Sequence, residues 1–464
     1  MAPRRPNVLM IMTDQHHAAC VGYRGHPDVK TPNLDRLAAE GVRFDETFSC
    51  HGTCVPSRVS YMTGMYPHAH GVFGGEPWPI PRELVSLPAH LKLFGYRTAV
   101  IGKKHMPNWP THGFDYERLC YTADAATRQL HYYNYLKRHG LHAWYDHLGD
   151  VEKYCLGEER VPVEHSLENW TANETIAYLE QKDERPFFVQ MSFERPHPPL
   201  TVPAGCPFVY DPDTLTLPEN QQEVESSFYF NRNVELKWCV SVHGESVLRQ
   251  ALAKYYALIS LIDHNVGRVM AALDRLGLRE NTIVVFCADH GDFAGEYGRM
   301  AKGFPYDALH RVPFVWNWPG RFQAGKAPRG FARTVDFAPT ICGLAGAPTP
   351  RQTQGASLEP ALFSGQGTGV EEVFFESVAV KTVRTRTHKL NYAFDRDGEK
   401  AELYDLTADP HEYRNVWGDP RYGAVRDEMM RRLLNWWIET QQPVNYSPSD
   451  ERFRQTPWFE QGPR

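Results

Sequence analysis

What this sequence does without narrows its class before any motif is read. Its nine cysteines are odd in number, irregularly scattered and hold no Cys-x-x-Cys pair, which argues against a disulfide framework and against a structural zinc site. No stretch approaches the roughly 20 apolar residues that a spanning helix requires. The apolar run Val8 to Met12, behind the basic tip Met1 to Arg5, stops at Thr13-Asp14 without a small-residue cleavage site, so it reads as a strand rather than a leader. The expectation is a cytoplasmic protein with reduced thiols and no membrane partner. There is no internal repeat, no low-complexity segment and no block of roughly five or six like charges, so nothing asks for a nucleic-acid partner. With a formal net charge of −6, a protein that handles an anion must cluster its cations locally.

What is present is an ordinary globular enzyme's composition, 42% hydrophobic and 23% charged over 464 residues, enough chain for one large α/β unit with an appended subdomain. Val8 to Met12 and Thr282 to Ala288 are short, continuous, Val- and Ile-rich runs of the kind buried on both faces of a parallel sheet. Each leads into an acid, Asp14 and Asp289, where α/β folds place their ligands. Helical spacing is predicted over Asn33 to Gly41, Ser86 to Gly95, Thr171 to Gln181 and Arg249 to Leu276, alternating with strands at Thr98 to Ile101 and Phe187 to Met191. Interleaving of this kind predicts an α/β fold, a three-layer α/β/α sandwich on a mainly parallel sheet. Beyond the Pro- and Gly-rich passage Ala345 to Gly369 come four closely spaced strand patterns and an amphipathic helix over Ala424 to Thr440, read as an antiparallel α+β subdomain. The expected division is residues 1–370 and 371–464.

The most specific signal is Cys54-Val55-Pro56-Ser57-Arg58, with Tyr66-Pro67-His68 downstream. The pentapeptide resembles the Cys-x-Pro-Ser-Arg signature of the formylglycine-dependent sulfatases of the alkaline phosphatase superfamily. The resemblance implies that a separate formylglycine-generating enzyme oxidises Cys54 to an aldehyde. A hydrated aldehyde carries two hydroxyls on one carbon: one attacks sulfur, and the other then collapses to expel sulfate by breaking carbon–oxygen. A helix predicted after Ser57 would aim its amides at the anion, and Arg58 would add a charged fork. Gly95-Tyr96-Arg97-Thr98 leading to Gly102-Lys103-Lys104-His105 is similar to the family's Gly-Tyr-x-Thr and Gly-Lys-Trp-His pair, with Lys104 in place of Trp. By that match Lys103 contacts a sulfate oxygen and His105 is the general base of the elimination. Pro196-His197-Pro198-Pro199 resembles the Pro-His-x-Pro loop, whose histidine faces the leaving-group oxygen. Asp289-His290-Gly291, Lys302-Gly303, Tyr306 and Arg311-Val312-Pro313 parallel another stretch, in which Lys302 would hold a sulfate oxygen, and Tyr297 stands where many members have His. Read singly, Cys54 is a buried thiol before a turn, Lys103 to His105 a solvated loop and His197 a stiff surface turn. It is their occurrence together that carries the resemblance.

For the metal, Asp14, Gln15, Asp289 and His290, with residue 54 as a further ligand, make a mainly oxygen set that suits Ca²⁺ first, with Mg²⁺ or Mn²⁺ as alternatives. Gln15 stands where many sulfatases have a second Asp. His16 and His17 are expected to point elsewhere, and Asp292 and Glu296 to be structural partners. The segments from about Ala125 to Thr171 and from Ala204 to Leu248 match no motif and are expected to line the cleft. The function implied is hydrolysis of a sulfate monoester on a small molecule or saccharide, with a homo-oligomer left open. The nearest alternative is a formylglycine phosphonate monoester or phosphodiester hydrolase, which often carries Asp-Gln at this point; Lys103 with His105 favours sulfate.

Overall fold

The computed structural model describes residues 5–441 apart from 75–79, 82, 107–108, 110–111, 121–130, 147–157, 223–242, 301 and 396–397. Strands follow in the order β1 (Asn7–Asp14), β2 (Val42–Arg43), β3 (Thr47–Phe48), β4 (Arg97–Gly102), β5 (Tyr116–Leu119), β6 (Glu158–Pro162), β7 (Phe187–Pro196) and β8 (Val202–Ala204). After these come β9 (Thr282–Ala288), β10 (Phe314–Asn317), β11 (Ala332–Arg333), β12 (Glu372–Glu376), β13 (Val380–Thr385), β14 (His388–Asp395) and β15 (Gly398–Asp405). The main sheet has seven strands in the order β2-β10-β9-β1-β7-β4-β5. Pairs from β9 across to β5 are parallel, while β10 runs antiparallel to both β9 and β2.

The expected three layers are present. Along β1, Val8, Met10 and Met12 face one core with Val59 and Met62 of the Cys54–Thr63 helix and Ile341 of the Phe337–Leu344 helix. Leu9 and Ile11 face the other core, with Leu34 of the Pro32–Ala39 helix and Ile262, Val266 and Val269 of the 31-residue Glu245–Arg275 helix. Alternation of this kind puts both faces of β1 in contact with helices, which is why its sequence is apolar throughout.

Three boundaries differ from the sequence reading for local reasons. The Leu167–Leu179 helix starts four residues before Thr171 because Ser166 caps it, accepting from the Asn169 N–H. Strand β7 runs on to Pro196, its end in register with Asp14, since a residue before proline, here Arg195, is held extended. The helix expected after Ser57 begins at Cys54, behind the extended Thr53. Pro56 does not block it, because an amide in the first helical turn has no intrahelical acceptor to lose.

The C-terminal strands form an antiparallel sheet in the order β12-β13-β14-β15. Phe374, Val383, Leu390 and Leu403 from it meet Leu433 and Trp436 of the Gly423–Thr440 helix, and the same cluster takes in Cys50, Tyr66 and Val335 from the larger layers. Of the two unmatched insertions, 125–130, 147–157 and 223–242 lie outside the described residues.

Candidate active site

Four parallel strands and one helix deliver the site. Asp14 ends β1, Asp289 and His290 follow β9, Lys103 and His105 follow β4, and His197 follows β7. The ends of β4 and β7 come close because residue 102 is glycine: a Cβ there would sit 2.0 Å from the Ser192 carbonyl oxygen, and its φ is +95°. Opposite these ends, Cys54 occupies the first position of its helix, where the unsatisfied amides favour negative charge.

Cationic and donor groups converge on the Cys54 sulfur. The Lys302 Nζ is 3.0 Å away and His290 Nε2 3.2 Å, while Asp14 Oδ1, at 3.4 Å, accepts from the thiol. The side chain of His105 also hydrogen-bonds it, and His197 lies beside it. Burial alone would raise the thiol's pKa, yet Lys302, Lys103 and His290 outweigh it and hold it well below 9.0. A point at which an anion is stabilised so strongly is a receptor for a nucleophilic or transferred anion.

Arg58 is fully buried, and its fork is turned inward. Its Nε donates to Asp289 Oδ2 and its Nη2 to Asp14 Oδ2, both at 2.9 Å. Nη1 donates to the Lys103 carbonyl and to Ser192 Oγ. All three nitrogens of the fork thus meet protein acceptors, and through two of them it orients the carboxylates of Asp14 and Asp289. Lys103, also fully buried, pairs with Asp14 Oδ2 at 2.9 Å. Ser57 fixes the same neighbourhood, its hydroxyl donating to the Asp289 carbonyl.

Ligand atoms of Asp14, Cys54, Asp289 and His290 all lie within 4.8 Å of one another. Burial, then the adjacent Asp14, pushes the Asp289 carboxyl up to about 6 against the pull of His290 and Arg58, the signature of two carboxylates crowded beyond what the neighbouring cations neutralise. Gln15 adds a buried Oε1 that has no hydrogen-bond partner. A divalent cation fits this set on both counts, since it would relieve the crowding and satisfy the orphaned oxygen. His16 and His17 are engaged elsewhere: His16 Nε2 meets the Cys20 carbonyl, and His17 Nε2 meets Glu296 Oε1 at 3.1 Å.

The His197 turn is held by a residue that sequence reasoning missed. Arg195 donates to the carbonyls of His197 and Pro199, and its Nη2 reaches Glu159 Oε2 and Thr201 Oγ1. Glu159 comes from the first unmatched insertion, so that segment reaches the site through Arg195. Within the turn, His197 Nδ1 lies 2.5 Å from the Pro198 carbonyl. A carbonyl only accepts, so this nitrogen carries the proton and Nε2 keeps its lone pair in the neutral ring.

The Sulfatase family profile matches residues 6–347, and the profile described as N-sulphoglucosamine sulphohydrolase, C-terminal, matches residues 295–439. The chain belongs to the sulfatase family. Among sulfatases it is similar to an arylsulfatase of Clostridium perfringens, 30% identical over 93% of this chain and 94% of that one. An ulvan-active sulfatase of Formosa agariphila is also 30% identical, over 93% of this chain and 81% of the relative. Among solved structures it is similar to the phosphonate monoester hydrolase of Agrobacterium radiobacter, with a TM-score of 0.81 and 25% identity over 94% of this chain and 96% of that one. Two departures from the sulfatase pattern are packing matters in the structure. Lys104 pairs with Glu117 of β5, and the Tyr297 hydroxyl donates to the His411 carbonyl. Among the described residues no helix is long and apolar enough to cross a membrane.

Proposed function

We propose that this sulfatase hydrolyses a sulfate monoester at residue 54, converted from cysteine to formylglycine, with a hard divalent ion held by Asp14, Gln15, Asp289, His290 and residue 54. Ca²⁺ is the first choice of ion, Mg²⁺ or Mn²⁺ the alternatives. The observation that carries the reading is the convergence of Lys302, His290, His105 and His197 on the Cys54 sulfur. When bound, the ion would polarise a sulfate oxygen and favour the deprotonated nucleophile. The aldehyde hydrate would supply a second hydroxyl, so that sulfate leaves by carbon–oxygen rather than sulfur–oxygen cleavage.

The chain's own residues divide the rest. Lys103 and Lys302 place ammonium groups beside residue 54, where negative charge develops on the transferred group. Of the two candidates for protonating the leaving oxygen, Lys302 is favoured, because His197 presents an unprotonated Nε2 and is pushed down to about 3 by burial, Lys302 and Lys103. His197 then faces the substrate as a neutral ring whose Nε2 can accept from a hydroxyl on the alcohol portion. Burial and Lys103 push the His105 pKa down as well, which leaves a neutral imidazole able to take the proton that releases sulfate. The substrate is a small-molecule or saccharide sulfate, and the converting enzyme is the protein partner. The seven described cysteines are all free, which suits the cytoplasm as the proposed location.

A second reading changes only the substrate. The likeness to a phosphonate monoester hydrolase and the Asp14-Gln15 pair favour it, while Lys103 and His105 beside residue 54 favour sulfate. Two measurements test the proposal: the mass of the tryptic peptide Phe44 to Arg58 from protein made in its own host, and a competition between aryl sulfate and phenyl phosphonate esters. An unmodified cysteine throughout would remove the nucleophile, and a preference for the phosphonate would install the second reading.

A further inference from the structure

Gln15 is held at every point except one. Its φ of +61° places it in the left-handed region, its N–H donates to Asp289 Oδ1 at 3.1 Å and its carbonyl accepts from the Tyr255 hydroxyl at 2.7 Å. The side chain is as confined as the backbone: the residue is 1% exposed, and its Nε2 donates to Asp292 Oδ2 at 2.5 Å. What these contacts leave over is the Oε1 atom, buried and without a partner.

An amide has two ends that differ only in what they offer, a donor and an acceptor, and rotation by half a turn exchanges them. Which end faces the metal ligands decides whether Gln15 is a ligand at all, since only the oxygen binds a hard cation. A carboxylate decides this unambiguously, because it accepts and never donates. Asp292 is itself fixed, 1% exposed, with Oδ1 accepting from the Ala294 N–H at 2.7 Å. Both of its oxygens are thus committed as acceptors.

We propose that Asp292 is a positioning residue that locks the Gln15 amide with its oxygen toward the divalent ion, and that it is the reason glutamine rather than a carboxylate occupies position 15. The inference rests on the metal site of the proposed function. A carboxylate at position 15 would meet Asp292 acceptor to acceptor, two negative charges in contact inside the protein, whereas the glutamine amide turns the same contact into a hydrogen bond.

Asparagine at 292 can keep only one of the two acceptor contacts. If Oδ1 stays with the Ala294 N–H, Nδ2 meets Gln15, the amide turns over, and a nitrogen bearing two protons faces the ion. Losing an outer partner of this kind weakens metal affinity by about 10- to 100-fold. The double substitution Gln15→Glu with Asp292→Asn reverses donor and acceptor, so that Nδ2 donates to one carboxylate oxygen of residue 15 and the other oxygen faces the ion.

The experiment is calorimetric titration of Ca²⁺, and separately Mn²⁺, into the chelator-stripped full chain, compared across the unsubstituted protein, Asp292→Asn and the double variant. The expected result is binding weakened about 10- to 100-fold in Asp292→Asn and restored to the original affinity or better in the double variant. Equal affinity in Asp292→Asn, or a folded double variant that stays weak, overturns the inference while leaving the proposed function standing. Should Asp292→Asn fail to fold, the double variant alone decides by the same criterion. No ion binding in the unsubstituted protein overturns the inference and the metal site together.

Discussion

The Nζ of Lys302 lies 3.0 Å from the Sγ of Cys54, and the contact links a residue of the loop after β9 to the first residue of a helix 248 positions earlier. Lys302 also heads the charges that hold the thiol down against its burial. Lys302→Ala is therefore expected to do two things. In unconverted, metal-free protein, the ultraviolet thiolate signal, taken as a difference from Cys54→Ser, should titrate at higher pH than in the unsubstituted chain. In converted protein, kcat should fall by about 100- to 1,000-fold, the usual cost of one donor aimed at developing charge. An unchanged thiolate titration would show that Lys302 does not set the charge at residue 54.

Arg58 bridges Asp14 and Asp289 with every atom buried. Arg58→Leu leaves the Asp289 carboxylate without its guanidinium beside an Asp14 that keeps the Lys103 ammonium, so it should destabilise metal-free protein by about 3–5 kcal/mol, read as a lower urea midpoint. Adding Ca²⁺ should recover part of that loss, because the ion takes over the neutralisation. No recovery on adding the ion would mean that the two carboxylates do not form its site.

How much of this was legible beforehand follows from what a one-dimensional string can carry. The buried strands Asn7–Asp14 and Thr282–Ala288 announce themselves by the continuous apolar runs Val8 to Met12 and Ile283 to Ala288, and the acids Asp14 and Asp289 fall at the carboxyl edge by the geometry of parallel sheets. The antiparallel edge was not readable: β10 has four residues and β2 two, and an apolar run does not record its direction. Cys54 and His105 are visible through their neighbours in sequence. The inward turn of Arg58 was not, since its partner Ser192 is 134 residues away, and nothing near residue 58 says which anion its fork will meet. Arg195 was missed for the same reason, its partner Glu159 lying in a segment that resembles nothing. Asp292 and Glu296 were expected as structural partners, and their contacts with Gln15 and His17 say of what.

His105 hydrogen-bonds residue 54 and is neutral by burial, the condition of a base that acts after the first bond has broken. His105→Ala should release one equivalent of alcohol per enzyme and then stop, with sulfate retained on the protein. Intact-mass measurement after brief exposure to an aryl sulfate checks this as an adduct on the peptide Phe44 to Arg58. A normal steady-state rate in the variant would remove His105 from the release step.

Glu376 and His68 fasten the C-terminal sheet to the larger layers. Glu376, at the end of β12, has a fully buried side chain that accepts from the His68 N–H at 2.8 Å, lies 2.7 Å from His68 Nδ1 and pairs with Lys381. Burial alone would raise this carboxyl, but the hydrogen bond from His68 and the Lys381 charge outweigh it and hold the pKa below 4.5. A carboxyl depressed on folding stabilises the native state above its unfolded pKa, and that contribution disappears as pH falls through the folded value. Glu376→Gln turns an amide nitrogen against either the Lys381 ammonium or the His68 donors, so at pH 7 it should cost about 3–5 kcal/mol. The gap between the unsubstituted protein and the variant should stay constant from neutral pH down to about 5 and then close as the pH drops below 4.5. Urea midpoints measured across that range decide the matter: a gap that persists in acid would mean the loss comes from packing around His68 and Trp437, whose rings stack 4.4 Å apart, and not from the charge on Glu376.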